Sequence, residues 1–251
     1  MMYVDIHNHF AWGLDDGLKT KEEFLKALEN AKKDQIMDIV LTPHMHAKLC
    51  DGNAFEKLQK RLDEAIDVAK SMGIRLYKGN EILLDEDFLD IFQQDKFNTI
   101  ADSNYVLCEF PVWLDANEQR DYEYRLEEVL ERGFVPVIAH VERYFPNGLH
   151  MKRIKHWINM GCVIQVNRSS FFGVHGKKIK KNADKLLKKH VVHIVASDAH
   201  DVSKERIAKF SDVYAYIRSK TNKAYADLLL IENPKQLLCD GNVKRMRRFG
   251  L

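Results

Sequence analysis

Two imidazoles come first. His7-Asn8-His9 closes the apolar run that starts at Tyr3. Side chains two apart on a strand share a face, so both rings can address one ion. Comparable residue types recur where later apolar runs end. Asp15-Asp16-Gly17 follows the first run, Thr42-Pro43-His44 ends the second and Asn80-Glu81 the third. Cys108-Glu109-Phe110-Pro111 ends the fourth, His140 the fifth, Asn167 the sixth and Ser197-Asp198-Ala199-His200 the seventh. His7, His9, His44, His140 and His200, with Asp16, Glu81, Glu109 and Asp198, make a set of nitrogen and oxygen ligands without a thiolate. One ion cannot use so many; two or three divalent ions such as Mn²⁺, Fe²⁺ or Zn²⁺ can. Such ions lower the pKa of water from about 15.7 to near 7. The set therefore points to metal-assisted hydrolysis.

Such ligands must be held by elements that converge. Apolar runs at Tyr3–His7, Asp38–Thr42, Arg75–Gly79, Asn104–Glu109, Val135–His140, Cys162–Asn167 and Val192–Ser197 read as strands buried on both faces, hence a parallel sheet covered by helices. Amphipathic stretches alternate with them. Thr20-Lys21-Glu22-Glu23 reads as a capping box, and Asn53–Glu56 as a second one built on Asn. Further helices are expected over Tyr122–Arg132, Leu149–Met160, Lys178–Lys189 and Lys204–Lys220. A last one is opened by Asn233 as N-cap with Pro234 at its first position. Gly73, Gly133 and Gly161 fall where helices should end. Seven β/α units in series predict an α/β fold of the TIM-barrel kind. The alternative is an open doubly wound sheet, which lacks support from any GxGxxG turn. In a parallel barrel the C-terminal strand ends share one face, where function sits.

At this point the residues carry a resemblance. The segments VDIHNHFAWGLDDGLKTKEE, TPHMH, GNEI, CEFP, VIAHVERY, VNRSSFFG and VASDAH run in order from residue 3 to about residue 206. They resemble the polymerase-and-histidinol-phosphatase (PHP) superfamily. More narrowly, they resemble manganese-dependent protein-tyrosine phosphatases of bacterial capsule and exopolysaccharide loci. The resemblance implies a distorted (β/α)7 barrel spanning residues 1–251 as a single domain, with three divalent ions at the C-terminal strand ends. The ions would be Mn²⁺, with Fe or Zn as substitutes. It implies a first ion on His7, His9, Glu81 and Asp198, and a second on Glu81, Glu109 and His140. A third would take Asp16, His44 and His200. Asp15 is then a turn residue or a support for the ligands. The resemblance places Arg143 and Arg206 on the phosphate, a task that suits a bidentate guanidinium. For Arg206 the other reading is a helix residue paired with an acid. It further implies phosphotyrosine hydrolysis in the cytoplasm, on the tyrosine-rich tail of a bacterial tyrosine autokinase.

Several neighbours keep two readings. His46 is substrate-facing or a loop residue. Arg168 meets phosphate or is a surface charge. Asn167 shapes the pocket by hydrogen bonding, and Asp5 orients a ligand or sits lower in the fold. Phe110, Trp113, Tyr144, Phe145, Phe171 and Phe172 wall an aryl slot or pack the core. His150, His156, His175, His190 and His193 read as structural or surface residues.

Composition narrows the function. The 251 residues carry 39 Lys+Arg against 37 Asp+Glu, a formal net charge of +2. That balance argues against nonspecific nucleic-acid or membrane attraction. No apolar run nears the roughly 18–20 residues of a membrane span, and no basic region followed by an apolar one opens the chain. Cys50, Cys108, Cys162 and Cys239 form no CxxC pair and start no CxxxxxR motif, so they read as reduced, non-catalytic thiols. The closing KRMRRFGL reads as a solvated basic tail, with contact to an acidic partner as the other reading. Competing functions are a small-molecule phosphatase such as a histidinol phosphatase, a PHP-type nuclease, and an inactive metal-binding scaffold.

Overall fold

The computed structural model describes residues 2–245. Short runs rich in β-branched residues pair as parallel strands in two sheets. β1 (Tyr3–Asp5), β2 (Ile36–Leu41) and β4 (Arg75–Lys78) form one, in the order β1-β2-β4. The other runs β3 (His44–Met45), β5 (Glu81–Leu83), β6 (Tyr105–Glu109), β7 (Val135–Ile138), β8 (Val163–Asn167) and β9 (Ile194–Ala196). The short β3 and β5 continue β2 and β4 past Pro43 and Gly79. Backbone bonds tie the end of β9 to the end of β1: Asp198 N–H donates to His7 O at 2.8 Å, and His9 N–H to Ala199 O at 2.9 Å. This α/β arrangement of parallel strands brings the residues just past β1 and β9, the ends of β6 and β7, and the starts of β3 and β5 to one side of the fold.

The strand faces explain why ligands sit at those ends. On β6, Leu107 and Glu109 share a face; on β9 and its extension, Ala196 and Asp198 do. The lower residues join an apolar cluster of Val4, Val40, Leu107, Val137, Val163, Ile194 and Ala196, and above Val40, Leu107, Val163 and Ala196 the next position on the face is polar: Thr42, Glu109, Gln165 and Asp198. Apolar burial thus forms the floor on which the polar end rests.

Helices cover the outer face: α1 (Lys21–Lys33), α2 (Ala54–Lys70), α3 (Phe88–Gln93), α4 (Tyr122–Glu131), α5 (Met151–Met160), the single turn α6 (Arg168–Phe171), α7 (Lys177–Lys188), α8 (Phe210–Lys220), α9 (Lys223–Asp227) and α10 (Asn233–Leu238). Thr20 and Glu23 form the expected capping box on α1. Among the described residues, no helix is long and apolar enough to cross a membrane.

Some local expectations fail. Asn53 makes no side-chain cap on α2. Asn233 is not a cap either. A π-helical turn over Leu228–Glu232 runs straight into α10, and the Asn233 side chain is spent on His193 O and on the backbone of Lys244. The helix expected over Lys204–Lys220 starts only at Phe210. Asp201 takes the Ser203 and Lys204 amides in a local turn that competes with helix, and Asp34 from the end of α1 accepts from the Phe210 and Ser211 amides. In the basic tail, Lys244 is tied to Asn233, and Arg245 donates to Ile158 O at 2.5 Å; neither is loose. Arg247 and Arg248 lie outside the described residues.

His193 supplies a pH-linked stability term away from the site. Its Nδ1 accepts from Ile164 N–H at 3.0 Å, extending the β8–β9 pairing. Burial, and then the charge of Arg245, push its pKa down to about 4. Below about pH 6.5 the unfolded chain takes up this proton and the folded chain does not. The neutral ring's contribution is full above that pH and is lost as pH falls toward 4, by up to about 3 kcal/mol. His193→Asn keeps an acceptor for Ile164. Denaturant titrations should therefore show a flatter loss of stability between pH 6.5 and 4 than for the wild type.

Candidate metal centre

Glu81, the first residue of β5, lies at the middle of the polar end. Its Oε1 meets His140 Nε2 at 2.9 Å. Its Oε2 faces His7 Nε2 at 3.1 Å, His9 Nε2 at 3.2 Å and His44 Nδ1 at 3.3 Å. Asp198 lies beside them, its Oδ1 at 3.5 Å from His7 Nε2, 3.6 Å from His9 Nε2 and 3.4 Å from His200 Nδ1. Glu109 Oε1 meets His44 Nδ1 at 3.0 Å, and its Oε2 lies 3.6 Å from His140 Nε2. Asp16 Oδ1 touches His200 Nε2 at 3.2 Å and His44 Nε2 at 3.4 Å. All nine residues singled out in the sequence as ligands meet here.

Their donor atoms fall into four overlapping groups: His9–Asp16–His44–His200, His7–His9–Asp198, His7–Glu81–His140 and His44–Glu81–Glu109. His44 belongs to two of these, with Nδ1 toward Glu81 and Glu109 and Nε2 toward Asp16. The set fits divalent ions on two counts. Ligand atoms about 2.1 Å from a shared ion lie roughly 3.0–3.4 Å from one another, and the separations here, 2.9–3.6 Å, bracket that range. Glu81 Oε2 is also buried and without a hydrogen bond, although three imidazole nitrogens surround it. An orphaned buried carboxylate oxygen is costly unless a cation meets it. Burial opposes ionisation of Glu81, but His7 and His44 hold its carboxyl well below the usual range. For Asp198, His7 and Arg206 likewise overcome burial. Burial and the nearby Arg143 push His140 down to about 4, whereas for His7, His9 and His44 burial is outweighed by the surrounding carboxylates, which raise them, so these rings carry the positive charge that ions would supply in their place.

Backbone shape is committed to this arrangement. His140 and Asp198 both adopt positive φ, 30° and 49°, a region that residues with a Cβ seldom occupy. Gly17 ends the Asp15-Asp16 turn because a Cβ there would stand 2.2 Å from His9 O and 2.4 Å from His9 Cβ. Only glycine lets the turn close over His9 and place Asp16.

A supporting layer orients the rings. Asp15 Oδ2 lies 2.7 Å from His9 Nδ1 and accepts the His44 amide, so this aspartate supports ligands. Asp5 accepts from the Ser197 amide and hydroxyl and from Asn8 Nδ2, which makes it a brace between β1 and β9 below the site. β8 contributes none of the nine residues, yet it carries the relay that aligns three of them. Gln165 Oε1 accepts from His140 N–H at 2.8 Å and lies 3.1 Å from His7 Nδ1, which turns His7 Nε2 toward Glu81. Gln165 Nε2 donates to Asn167 Oδ1, and Asn167 Nδ2 donates to Asp198 Oδ2 at 2.5 Å. Sequence reasoning reached Asn167 but missed Gln165. The readable signal was a glutamine inside an otherwise apolar, buried strand. Outer partners of this kind carry about 10- to 100-fold in metal affinity. Gln165→Leu should weaken Mn²⁺ binding by that factor in a direct binding titration, while its circular dichroism stays native.

The cavity above the cluster holds about 200 Å³ and is lined by Asp16, His44, Glu81, Glu109, Val112, Trp113, His140, Arg143, Asp198, His200 and Arg206. Arg206 is not helical. The loop 201–209 folds back through bonds from the His200 and Asp201 amides to Arg206 O, and Arg206 Nη2 donates to Asp198 Oδ1 at 2.8 Å. Arg143 Nη1 stands 3.7 Å from Asp198 Oδ2.

Arg168 turns out differently from either sequence reading, and most of the other residues follow one of theirs. Arg168 is neither a phosphate contact nor a surface charge. It is buried and bidentate to Asp212, and its Nη1 donates to Glu205 O, pinning the loop that carries Arg206. Phe110, Tyr144, Phe145 and Phe171 are core residues, and Phe110 stacks on Tyr122 at 3.8 Å. Trp113 alone of the six aromatics lines the cavity, and it is 75% exposed. His46 is half-buried and outside the four groups. His175, taken as structural, bonds Ser169 Oγ, and its charge is suppressed by burial and then by Arg143.

Comparison with known proteins agrees with this picture. Tyrosine-protein phosphatase CpsB of Streptococcus pneumoniae is 31% identical over 244 residues, which cover 94% of this chain and 98% of that protein. A crystal structure described under YwqE from Bacillus subtilis and CpsB from Streptococcus pneumoniae, "unique metal-dependent tyrosine phosphatases", superposes with a TM-score of 0.84 at 25% identity, covering 97% of both chains. The phosphotriesterase homology protein of Escherichia coli, with phosphate in its active site, shares the fold at a TM-score of 0.62, 12% identity and coverage of 94% and 98%. Residues 3–239 match the family described as capsular polysaccharide synthesis, CpsB/CapC, and the chain belongs to that family.

Proposed function

We propose that this protein is a metal-dependent protein-tyrosine phosphatase. The observation that carries the proposal is one cavity lined by seven of the nine imidazole and carboxylate residues and by two guanidiniums, with His7 and His9 completing the ligand groups through Glu81 and Asp198. In this reading three divalent ions, Mn²⁺ by resemblance, are held by His7, His9, Glu81 and Asp198, by Glu81, Glu109 and His140, and by Asp16, His44 and His200. When bound, ions of this kind lower the pKa of water and neutralise phosphoryl charge. The chain's own groups do the rest. Arg143 and Arg206 grip the phosphoryl oxygens, where charge must be balanced through the transfer. Asp198 aims Arg206 and the His200 ring. Trp113 flanks the aryl group at the mouth. The tyrosine phenolate leaves with a pKa near 10 and so asks little of a general acid. A thiol mechanism has no nucleophile in this cavity, since no cysteine lines it, and burial pushes the Cys108 thiol well above its ordinary pKa.

Bonds between the ends of β1 and β9 support reading the strands as a distorted (β/α)7 barrel. One shared apolar floor supports a single domain over 1–251. The substrate we assign is a phosphotyrosine-bearing protein, the tyrosine-rich tail of a bacterial tyrosine kinase in polysaccharide regulation, met in the cytoplasm.

The test is phosphate release from a phosphotyrosyl peptide by metal-stripped protein, before and after Mn²⁺ is added. Turnover is expected to be negligible without the ion and restored with it. No turnover after verified metal uptake would overturn the tyrosine assignment, and hydrolysis of histidinol phosphate instead would establish the small-molecule alternative.

A further inference from the structure

From Arg143 to Ala183 the chain contains no aspartate or glutamate, although its overall charge is nearly balanced. This stretch folds so that α7 is bonded to the turn that presents Arg143 to the cavity. It begins with the turn Val141–Tyr144 that presents Arg143 and ends in α7. Asn182 of α7 latches the two together, donating to Glu142 O at 3.0 Å and Phe145 O at 2.9 Å. Between α7 and the loop 146–149 lies a cleft of about 330 Å³, lined by that loop with Lys178, Lys181, Asn182 and Lys185.

The three lysines are spaced three and four apart, so they share one helix face, and all are exposed. Like charges so placed repel one another. Among the described residues none of the three has an acidic partner. Asp184, the acid of α7, is taken by Lys180 and Tyr216. On the side of the loop, Asp115 accepts from Asn147 and Asn117 and so holds that loop. A cleft with an unmatched row of ammonium groups is complementary to an anionic chain.

We propose that this cleft binds an acidic segment of the phosphoprotein substrate while its phosphotyrosine occupies the catalytic cavity. The proposal rests on the phosphatase reading above, because that reading places the reacting residue next to Arg143. The segment's carboxylates, or a second phosphorylated side chain, meet Lys178, Lys181 and Lys185. The cleft selects among phosphotyrosyl sites by what flanks them and takes no part in the chemistry.

Two phosphotyrosyl peptides decide the matter, one with acidic flanks and one with neutral flanks, tested with the Mn²⁺-loaded protein and with Lys178→Glu/Lys181→Glu/Lys185→Glu. A triple Ala variant guards against misfolding. The wild type should favour the acidic peptide through a lower KM, and the advantage should shrink with salt. The Glu variant should raise KM for the acidic peptide by about 10- to 30-fold, the sum of three modest surface pairs. Turnover of the neutral peptide and of para-nitrophenyl phosphate should not change. Equal KM for both peptides in the wild type, or an unaltered KM in the variants, would overturn the proposal. Binding of a fluorescent acidic peptide, read by anisotropy, is independent of turnover. If no phosphate ester is hydrolysed yet this binding needs the lysines, the phosphatase reading fails and the cleft stands. Lysine-dependent binding to phosphatidylserine vesicles, with peptide binding unaffected, would reject the peptide as occupant in favour of a membrane surface.

Discussion

Asp198→Asn is expected to lower metal-dependent phosphate release by roughly 10³-fold or more, beyond the 10²–10³ typical of losing one stabilising donor. The expectation follows from the number of groups that share this carboxylate. It lies within 3.6 Å of His7, His9 and His200 nitrogens, accepts from Arg206 and Asn167, and faces Arg143. Asparagine keeps the shape and removes the charge. The imidazoles and two guanidiniums are then left without their counter-charge in a buried site, where losing one partner is costly. Both metal content and turnover should fall, and elemental analysis beside initial rates reads the two separately. A variant with full metal content and near wild-type turnover would refute the site as drawn.

Arg206→Lys should act differently. Here kcat/KM is expected to drop by about 10²-fold while metal content stays unchanged. The Arg206 guanidinium spends Nη2 on Asp198 at 2.8 Å, and its Nε is buried without a partner. A buried donor of this kind is what a phosphoryl oxygen would satisfy. Lysine restores the charge without the planar fork. Inorganic phosphate should inhibit the variant more weakly than the wild type. Unchanged inhibition and unchanged kcat/KM would remove Arg206 from the phosphate.

Much of the centre was legible along the chain because its residues obey local rules. Glu109 lies two positions above the inward apolar Leu107, and Asp198 two above Ala196. Strand pattern therefore carries the ligand with it. The capping box at Thr20 and the turn at Gly17 are local in the same way. Helix ends set by distant groups were not legible. Asp34 starts α8 from across the fold, and nothing near Lys204 in sequence announces it.

The amino-acid order pointed to which nine side chains meet, since they lie at or just past the ends of the apolar runs, His44 and Glu81 opening the short β3 and β5, and parallel strands bring these positions together. Only the tertiary structure decided which partner each group takes. Gln165 and Asn167 became the brace for His7, His140 and Asp198, Arg168 became a lock on the loop of Arg206, and four of six candidate wall aromatics went into the core. The physical reason is range. Periodicity reports the face a residue occupies, whereas a hydrogen bond or ion pair between residues far apart in sequence exists only once packing has set the distance.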